Sequence, residues 1–311
     1  MQTSVQPHRW VIGRGLLGRA VIAEQSVAPF GWSITWSDKD KSIEDLAEGL
    51  KKFIATSSEP WEIYWCAGAG VTSTDRSAVE REVAVFEAFI VEISRLSRNQ
   101  IGRGKLFLAS SVGGAYAGNP IPPYTESSHV AALSPYGEAK LRMEESVRSH
   151  SSQMGLRSFI ARITNLYGPG QDLSKGQGLI SVIAKTYFTG VPASIFVPLD
   201  TIRDYVYVGD CAKVVVQGMR KLDSVAPGET VTKIVGSANP VSIGALIGEF
   251  SRLRRSRPLI VLGAGNSSGQ APDLRVKSEV WPELDALVST TLPAGIAATF
   301  QSMSQTAMTA E

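Results

Sequence analysis

A run of glycines set between an apolar segment and an amphipathic one constrains this chain most. Trp10-Val11-Ile12 is short and strand-like, Gly13-Arg14-Gly15-Leu16-Leu17-Gly18 follows directly, and Arg19-Ala20-Val21-Ile22-Ala23-Glu24 reads as the first turns of a helix. Glycines at this spacing permit a tight reversal, close approach of backbone to whatever lies over the turn, and close packing of helix on strand. A helix N-terminus opened in this way suits a pyrophosphate. A second apolar stretch, residues 32–36, then runs into Ser37-Asp38-Lys39-Asp40. An acid ending a second strand can accept hydrogen bonds from an adenosine ribose. Strand, turn, helix, strand and acid in this order point to a bound dinucleotide, with Gly13, Arg14, Gly15, Leu16, Leu17, Gly18 and Asp38 around it.

The alternation continues. Residues 42–55 carry Ile43, Leu46, Leu50 and Phe53 at helical intervals, and Ile63-Tyr64-Trp65-Cys66 reads as a buried strand. That strand ends in Ala67-Gly68-Ala69-Gly70, small residues that let a cofactor come close to Cys66, Ala67 and Gly68. Residues 77–96 form a long helix with one apolar stripe through Val79, Val83, Phe86, Ile90 and Ile93, and another through Val85, Phe89 and Leu96. Two stripes suggest burial against a sheet on one side and a partner subunit on the other. Leu106-Phe107-Leu108 and Ser158-Phe159-Ile160-Ala161 are further strands. The βαβαβ order predicts an α/β fold, a doubly wound parallel Rossmann sheet with ligands at the carboxyl ends of its strands.

After Tyr167 the texture turns to Gly- and Pro-rich loops, short strands and helices, as in Tyr167-Gly168-Pro169-Gly170. The expected division is a dinucleotide-binding domain over residues 1–168, joined by about 203–222, and a smaller lobe over 169–202 and 223–311. The tail beyond Ser302 is polar and expected to fray.

Tyr136 and Lys140 lie four apart in Tyr136-Gly137-Glu138-Ala139-Lys140, on one face of a helix. An ammonium fixed beside a phenol favours the phenolate, which makes a base for an alcohol proton. Ser110 and Ser111 end the strand upstream and offer a hydroxyl partner.

Composition fits a soluble enzyme: 43% hydrophobic and 19% charged residues over 311 positions allow a large core. A formal net charge of +2 gives no electrostatic case for nucleic acid or a membrane surface. Cys66 and Cys211 are the two cysteines and there are three histidines, none in a metal-ligand spacing, so neither a disulfide nor a metal is expected. No signal peptide or membrane span is legible, and the cytoplasm is the expected compartment.

Longer motifs carry a resemblance. Leu108-Ala109-Ser110-Ser111, Ser134-Pro135-Tyr136-Gly137, Arg162-Ile163-Thr164-Asn165-Leu166-Tyr167-Gly168-Pro169 and Arg203-Asp204-Tyr205-Val206-Tyr207-Val208 resemble the extended short-chain dehydrogenase/reductases that act on nucleotide sugars. The resemblance runs from about residue 10 to about residue 300. It implies Tyr136 as base, Lys140 as its partner and ribose ligand, and Ser111 as hydroxyl partner of the reacting oxygen, with Ser110 the other candidate. It further implies Asn165 and Arg203 on the sugar nucleotide. The two-striped helix over residues 77–96, with the Tyr136/Lys140 helix beside it, predicts a homodimer.

Two of the sequence's several departures from the family's pattern bear directly on ligands. Ile12 stands where the first family glycine falls, so Gly13 must make the turn. Gln270-Ala271-Pro272-Asp273 lacks the family's arginine there, and Arg275 could stand in for it. Asp38 argues for NAD, while Arg14, Lys39 and Lys41 leave NADP open. Val112-Gly113-Gly114 beside the serine supply no acid or base, against dehydration. The expected activity is a nucleotide-sugar epimerase working through a keto-sugar intermediate. A nucleotide-sugar 4-ketoreductase using NAD(P)H, or a non-catalytic dinucleotide sensor of the same fold, are the alternatives.

Overall fold

A computed structural model describes residues 6–25, 28–56, 59–68, 70, 74–172, 178–263 and 270–308. Its centre is a parallel sheet of five strands. In spatial order these are β1 (His8–Ile12), β2 (Trp61–Trp65), β3 (Gly104–Ser111), β4 (Arg157–Ile163) and β9 (Thr230–Val235). Side chains alternate along each strand, and the alternation builds two cores. Trp10, Ile12, Ile63, Trp65, Leu106, Leu108 and Ile160 face one way, packed with α2 (Lys39–Ala55), α3 (Arg76–Ser94) and α6 (Pro135–Met154). Val11, Tyr64, Phe107, Phe159 and Ala161 face the other, under α1 (Leu16–Ala23) and α8 (Val208–Lys221). The expected doubly wound α/β sheet is therefore present.

Four details differ from the sequence expectations. No strand forms over residues 32–36, and β1 ends the sheet. The helix that follows takes the segment's polar groups: Thr35 N–H donates to Asp45 Oδ2 at 2.9 Å, and Ser42 Oγ donates to Thr35 O at 2.8 Å. The Trp32 indole also donates to Asp45 O, at 2.6 Å. Among the described residues, it is Phe30 N–H that reaches β1, at Arg9 O. Second, residues 230–235, assigned to the smaller lobe from sequence, pair with β4 in the main sheet. Third, both stripes of α3 are used inside the chain. Val85 and Phe89 are buried in the same core as Val83 and Phe86, and Phe89 meets the rings of Trp10 and Trp65 at 5.6 and 5.3 Å. The second stripe is thus not left for a partner subunit. Fourth, α10 (Leu292–Met308) continues past Ser302 instead of fraying there.

Short elements build the second lobe. β5 (Asn165–Tyr167) pairs with β8 (Tyr205–Tyr207), and β6 (Ala193–Ile195) pairs with β11 (Ile260–Leu262). β7 (Ile202–Arg203) pairs with β10 (Val241–Ser242). α7 (Leu179–Thr189), α9 (Ile243–Arg254) and α10 close over Tyr167, Tyr205, Leu246, Phe250 and Phe300. Because α8 returns to pack on α1, the chain crosses between lobe and sheet more than once. Those crossings set the lobe over the carboxyl ends of the strands.

Candidate active site

The glycine turn works as its spacing suggested, shifted by one residue. Ile12 is a buried end of β1 paired with Trp65, and Gly13 makes the turn at φ +88°. A Cβ on Gly13 would fall 2.3 Å from Ala67 N, and one on Gly18 would fall 1.9 Å from Gly13 O. These two positions exclude any side chain. Gly15 meets nothing within 4 Å, so open space lies above the turn. The N-terminus of α1, beginning with Leu16 and Leu17, carries no capping side chain and no acid in its first turn. Free amide donors, the positive end of the helix and an open space suit a pyrophosphate, so the residues present fit a dinucleotide.

Cys66 extends β2, with its N–H on Ile12 O at 2.8 Å. Burial pushes its thiol up to about 12, against the opposing influence of Lys140. Gly68 follows at φ +143° beside the Lys140 ammonium. Ala69 lies outside the described residues.

The acid expected on the ribose sits elsewhere. Asp38 is the exposed N-cap of α2, its Oδ1 accepting from Lys41 N–H at 2.9 Å. A hollow of about 410 Å³ beside the turn is lined by Arg14, Gly31, Trp32 and Ser33, without Asp38. Sequence reading missed Gly31 and Ser33 because it placed a strand there.

Tyr136 and Lys140 stand in the first turns of α6. Ser134 caps the helix, accepting from Gly137 N–H at 3.2 Å, and Pro135 opens it. The Lys140 ammonium is 5.8 Å from the Tyr136 ring centroid and donates to Ala109 O at 3.3 Å. Gly114 gathers the third member. A Cβ there would lie 3.3 Å from Ser111 Cβ and 3.5 Å from Tyr136 Cε1.

Ser110 and Ser111 separate cleanly. The Ser110 hydroxyl is buried and donates to Glu144 Oε1 at 2.6 Å, inside a network with Arg162 and Tyr116. Ser111 caps α5 (Val112–Tyr116), accepting from Gly114 N–H at 3.1 Å, and lines a cavity of about 160 Å³.

That cavity also gathers Asn165 and Arg203. Asn165 spends its Nδ2 on Asp204 O at 2.8 Å. Arg203 is 7% exposed, and among the described residues its guanidinium donates to neutral oxygens, Ile202 O at 2.8 Å and Gln270 Oε1 at 3.4 Å. Among the described residues no carboxylate comes within salt-bridge distance, and burial lowers its pKa. A buried guanidinium facing a cavity, on which the Asp273 charge acts only from beyond salt-bridge distance, suits an anion. Arg275 is not brought in. It is exposed and holds Asp273 at 2.8 Å, outside the cavity wall. Thr164 and Leu274 do line the cavity and were not singled out from sequence, since nothing in their spacing marks them, and Gln270, in the run that lacks the family's arginine, lines it too.

The sequence profile of the NAD dependent epimerase/dehydratase family matches residues 13–232, from the glycine turn through α8. The chain belongs to that family. It is an extended short-chain dehydrogenase/reductase family, and it is NAD-dependent. Among curated relatives, a dTDP-4-dehydro-6-deoxyglucose reductase of Escherichia coli is 27% identical over 136 residues, 42% of this chain and 43% of that one. A UDP-glucose 4-epimerase of Mycolicibacterium smegmatis is 26% identical over 162 residues, half of each chain. The matched stretches thus span half or less of those relatives' lengths. Among solved structures, the UDP-glucose 4-epimerase of Thermotoga maritima with UDP-glucose superposes with a TM-score of 0.81 at 18% identity, over 97% of this chain and 100% of that one. That of Thermus thermophilus in complex with NAD gives 0.76 at 18% identity, over 96% and 99%. Identities this low speak for the fold alone.

Among the described residues no group of His, Cys, Asp and Glu is placed to hold a metal ion, and no helix is long and apolar enough to cross a membrane.

Proposed function

We propose that this chain is a nucleotide-sugar epimerase that works by hydride transfer through a keto-sugar intermediate. The observation that carries the reading is Arg203, a buried cation with no carboxylate at salt-bridge distance among the described residues, in a cavity that Ser111 also lines. A sugar diphosphate anchored at that guanidinium presents its sugar toward Tyr136. Tyr136 takes the proton of one sugar hydroxyl and later returns it, while the Ser111 hydroxyl holds the same oxygen and Lys140 supports the phenolate by its charge. NAD, when bound, takes up and gives back the hydride. The groups that would hold it are the amides at the start of α1, the small residues 66–68 and Lys140. The cavity wall beside Ser111 is Val112 and Gly113, which offer no acid or base for removing water.

One observation favours a second reading, a ketoreductase using NADPH. Arg14 lines the hollow beside the turn, and the Asp38 carboxylate is turned to its helix cap instead. A homodimer in the cytoplasm belongs to the same proposal.

The deciding experiment extracts any dinucleotide carried by the purified protein and pairs it with the Tyr136→Phe variant. Retained NAD with UDP-glucose turnover, reduced about 10²–10⁴-fold in the variant at unchanged cofactor content, is the expected result. Undiminished turnover in Tyr136→Phe removes the catalytic assignment. An empty protein that binds NADPH better than NADH selects the ketoreductase.

A further inference from the structure

One acid interrupts the apolar inner stripe of α3. Glu82 stands among Val79, Val83 and Phe86, all buried, and reaches toward the end of β2. Its Oε1 accepts from Gly70 N–H at 3.0 Å. A methyl group built on Gly70 would lie 3.5 Å from Glu82 Oε2 and 3.3 Å from Cδ2 of the Tyr136 ring. One built on Gly68 would lie 3.6 Å from the same oxygen and 3.3 Å from Lys140 Nζ. Carboxylate, ammonium and phenol ring therefore lie close around Gly68 and Gly70. The mechanism above makes no use of the carboxylate.

Tyr136 handles the proton of a hydroxyl whose own carbon gives up the hydride. On the proposed reading, the nicotinamide ring must therefore come to the same place. That ring is a cation when oxidised and neutral when reduced, so a fixed negative charge nearby distinguishes the two states. We propose that Glu82 biases the bound cofactor toward its oxidised form. A sugar carbon loses a hydride and its hydroxyl a proton; the sugar is oxidised to the ketone and the cofactor reduced. With the reduced form disfavoured, the return of hydride to the ketone is the downhill direction, as an epimerase needs. The surrounding charges leave this difference intact. Lys140 opposes it equally with and without Glu82, the Cys66 thiol is neutral at neutral pH, and Arg76 with Glu138 and Arg142 with Glu80 and Glu87 are exposed ion pairs.

The test removes any retained dinucleotide from parent and Glu82→Gln protein and then titrates NAD and NADH separately, following tryptophan fluorescence. Glutamine keeps an oxygen for Gly70 N–H and removes the charge. The expected result is a fall of about tenfold in NAD affinity relative to NADH. Glu82→Asp, which keeps the charge on a shorter stem, retains the parent's ratio. An unchanged ratio in Glu82→Gln, or equal losses for both cofactors, overturns the proposal and leaves Glu82 as a tie between helix and turn. A parent protein that binds neither cofactor overturns the dinucleotide reading itself, and this inference with it.

Discussion

Adjacent serines end β3, and their partners assign them different work. Ser110 Oγ donates to Glu144, which is fully buried on α6 one turn beyond Lys140. Arg162 meets the same carboxylate at 2.7 Å, Arg148 meets it at 2.6 Å, and Arg162 Nη1 donates to the Tyr116 hydroxyl. Burial pushes the Glu144 pKa up, but the hydrogen bonds and charge of Arg162, helped by Ser110 and Arg148, prevail and hold it below its ordinary value. Removing the Ser110 hydroxyl leaves a buried carboxylate one donor short, so Ser110→Ala costs about 1.5–3 kcal/mol of stability at neutral pH. The sign of the pH dependence follows from the lowered pKa. Glu144's contribution is fully present above its unfolded value near 4.5 and is lost as pH falls through the folded value. Urea unfolding at neutral pH and at successively lower pH checks this: the gap between Ser110→Ala and parent narrows once Glu144 takes its proton. A gap that widens in acid contradicts the account. Strand register favoured Ser111 in the sequence but could not show what holds Ser110, because its partner Glu144 lies on another element.

Among the elements, the glycine turn was legible because its constraint is local. Gly18 is forced by the Gly13 carbonyl five residues away, and Gly13 by its own positive φ as well as by Ala67 beyond β2, so the spacing rule captures the local part of the constraint. Gly18→Ala would place a methyl 1.9 Å from Gly13 O, and neither is the flexible end of a side chain. We expect it to cost at least about 3 kcal/mol or to prevent folding. Gly15→Ala meets nothing within 4 Å, so its melting temperature stays near the parent's while NAD affinity falls about tenfold, or 1.4 kcal/mol. Thermal melts and NAD titration of the two variants separate turn from ligand space; a destabilised Gly15→Ala contradicts the open space above the turn. Residues 32–36 were misread for the opposite reason. Their apolar spacing suits a strand, but the outcome depended on Asp45 and Ser42, a helix turn away in space, taking the groups a strand would have offered to β1. Asp38, expected at that strand's end, became a helix cap in consequence.

Across the molecule, the main sheet was legible and the lobe was less so. The sheet's central strands are long enough for alternation to show, whereas β5 to β8 have two or three residues each and no period to read. β9 shows the same limit. Its pairing with β4 is fixed by a long-range crossing, and by Lys233, which is fully buried and held by Ser278 Oγ, Val280 O and Asp285 Oδ1, each at 2.7 Å. No pattern near residue 233 announces those partners.

A homodimer, if it forms through this face, rests on different ground from the apolar stripe. With Val85 and Phe89 buried inside the chain, the outward surface of α3 and α6 carries charged pairs. Arg142 bridges to Glu87 at 2.6 Å and Glu80 at 3.2 Å, and Arg76 bridges to Glu138 at 2.9 Å. Exposed pairs of this kind add little to the stability of one chain. Across a two-fold axis, the same charges can exchange partners with a second copy, and such a contact weakens as salt shortens the screening length below about 8 Å. Light scattering at micromolar concentration is therefore expected to give twice the chain mass at low salt and to fall toward the monomer as salt rises. A dimer indifferent to salt places the contact on an apolar surface elsewhere, and a monomer at low salt removes the dimer altogether.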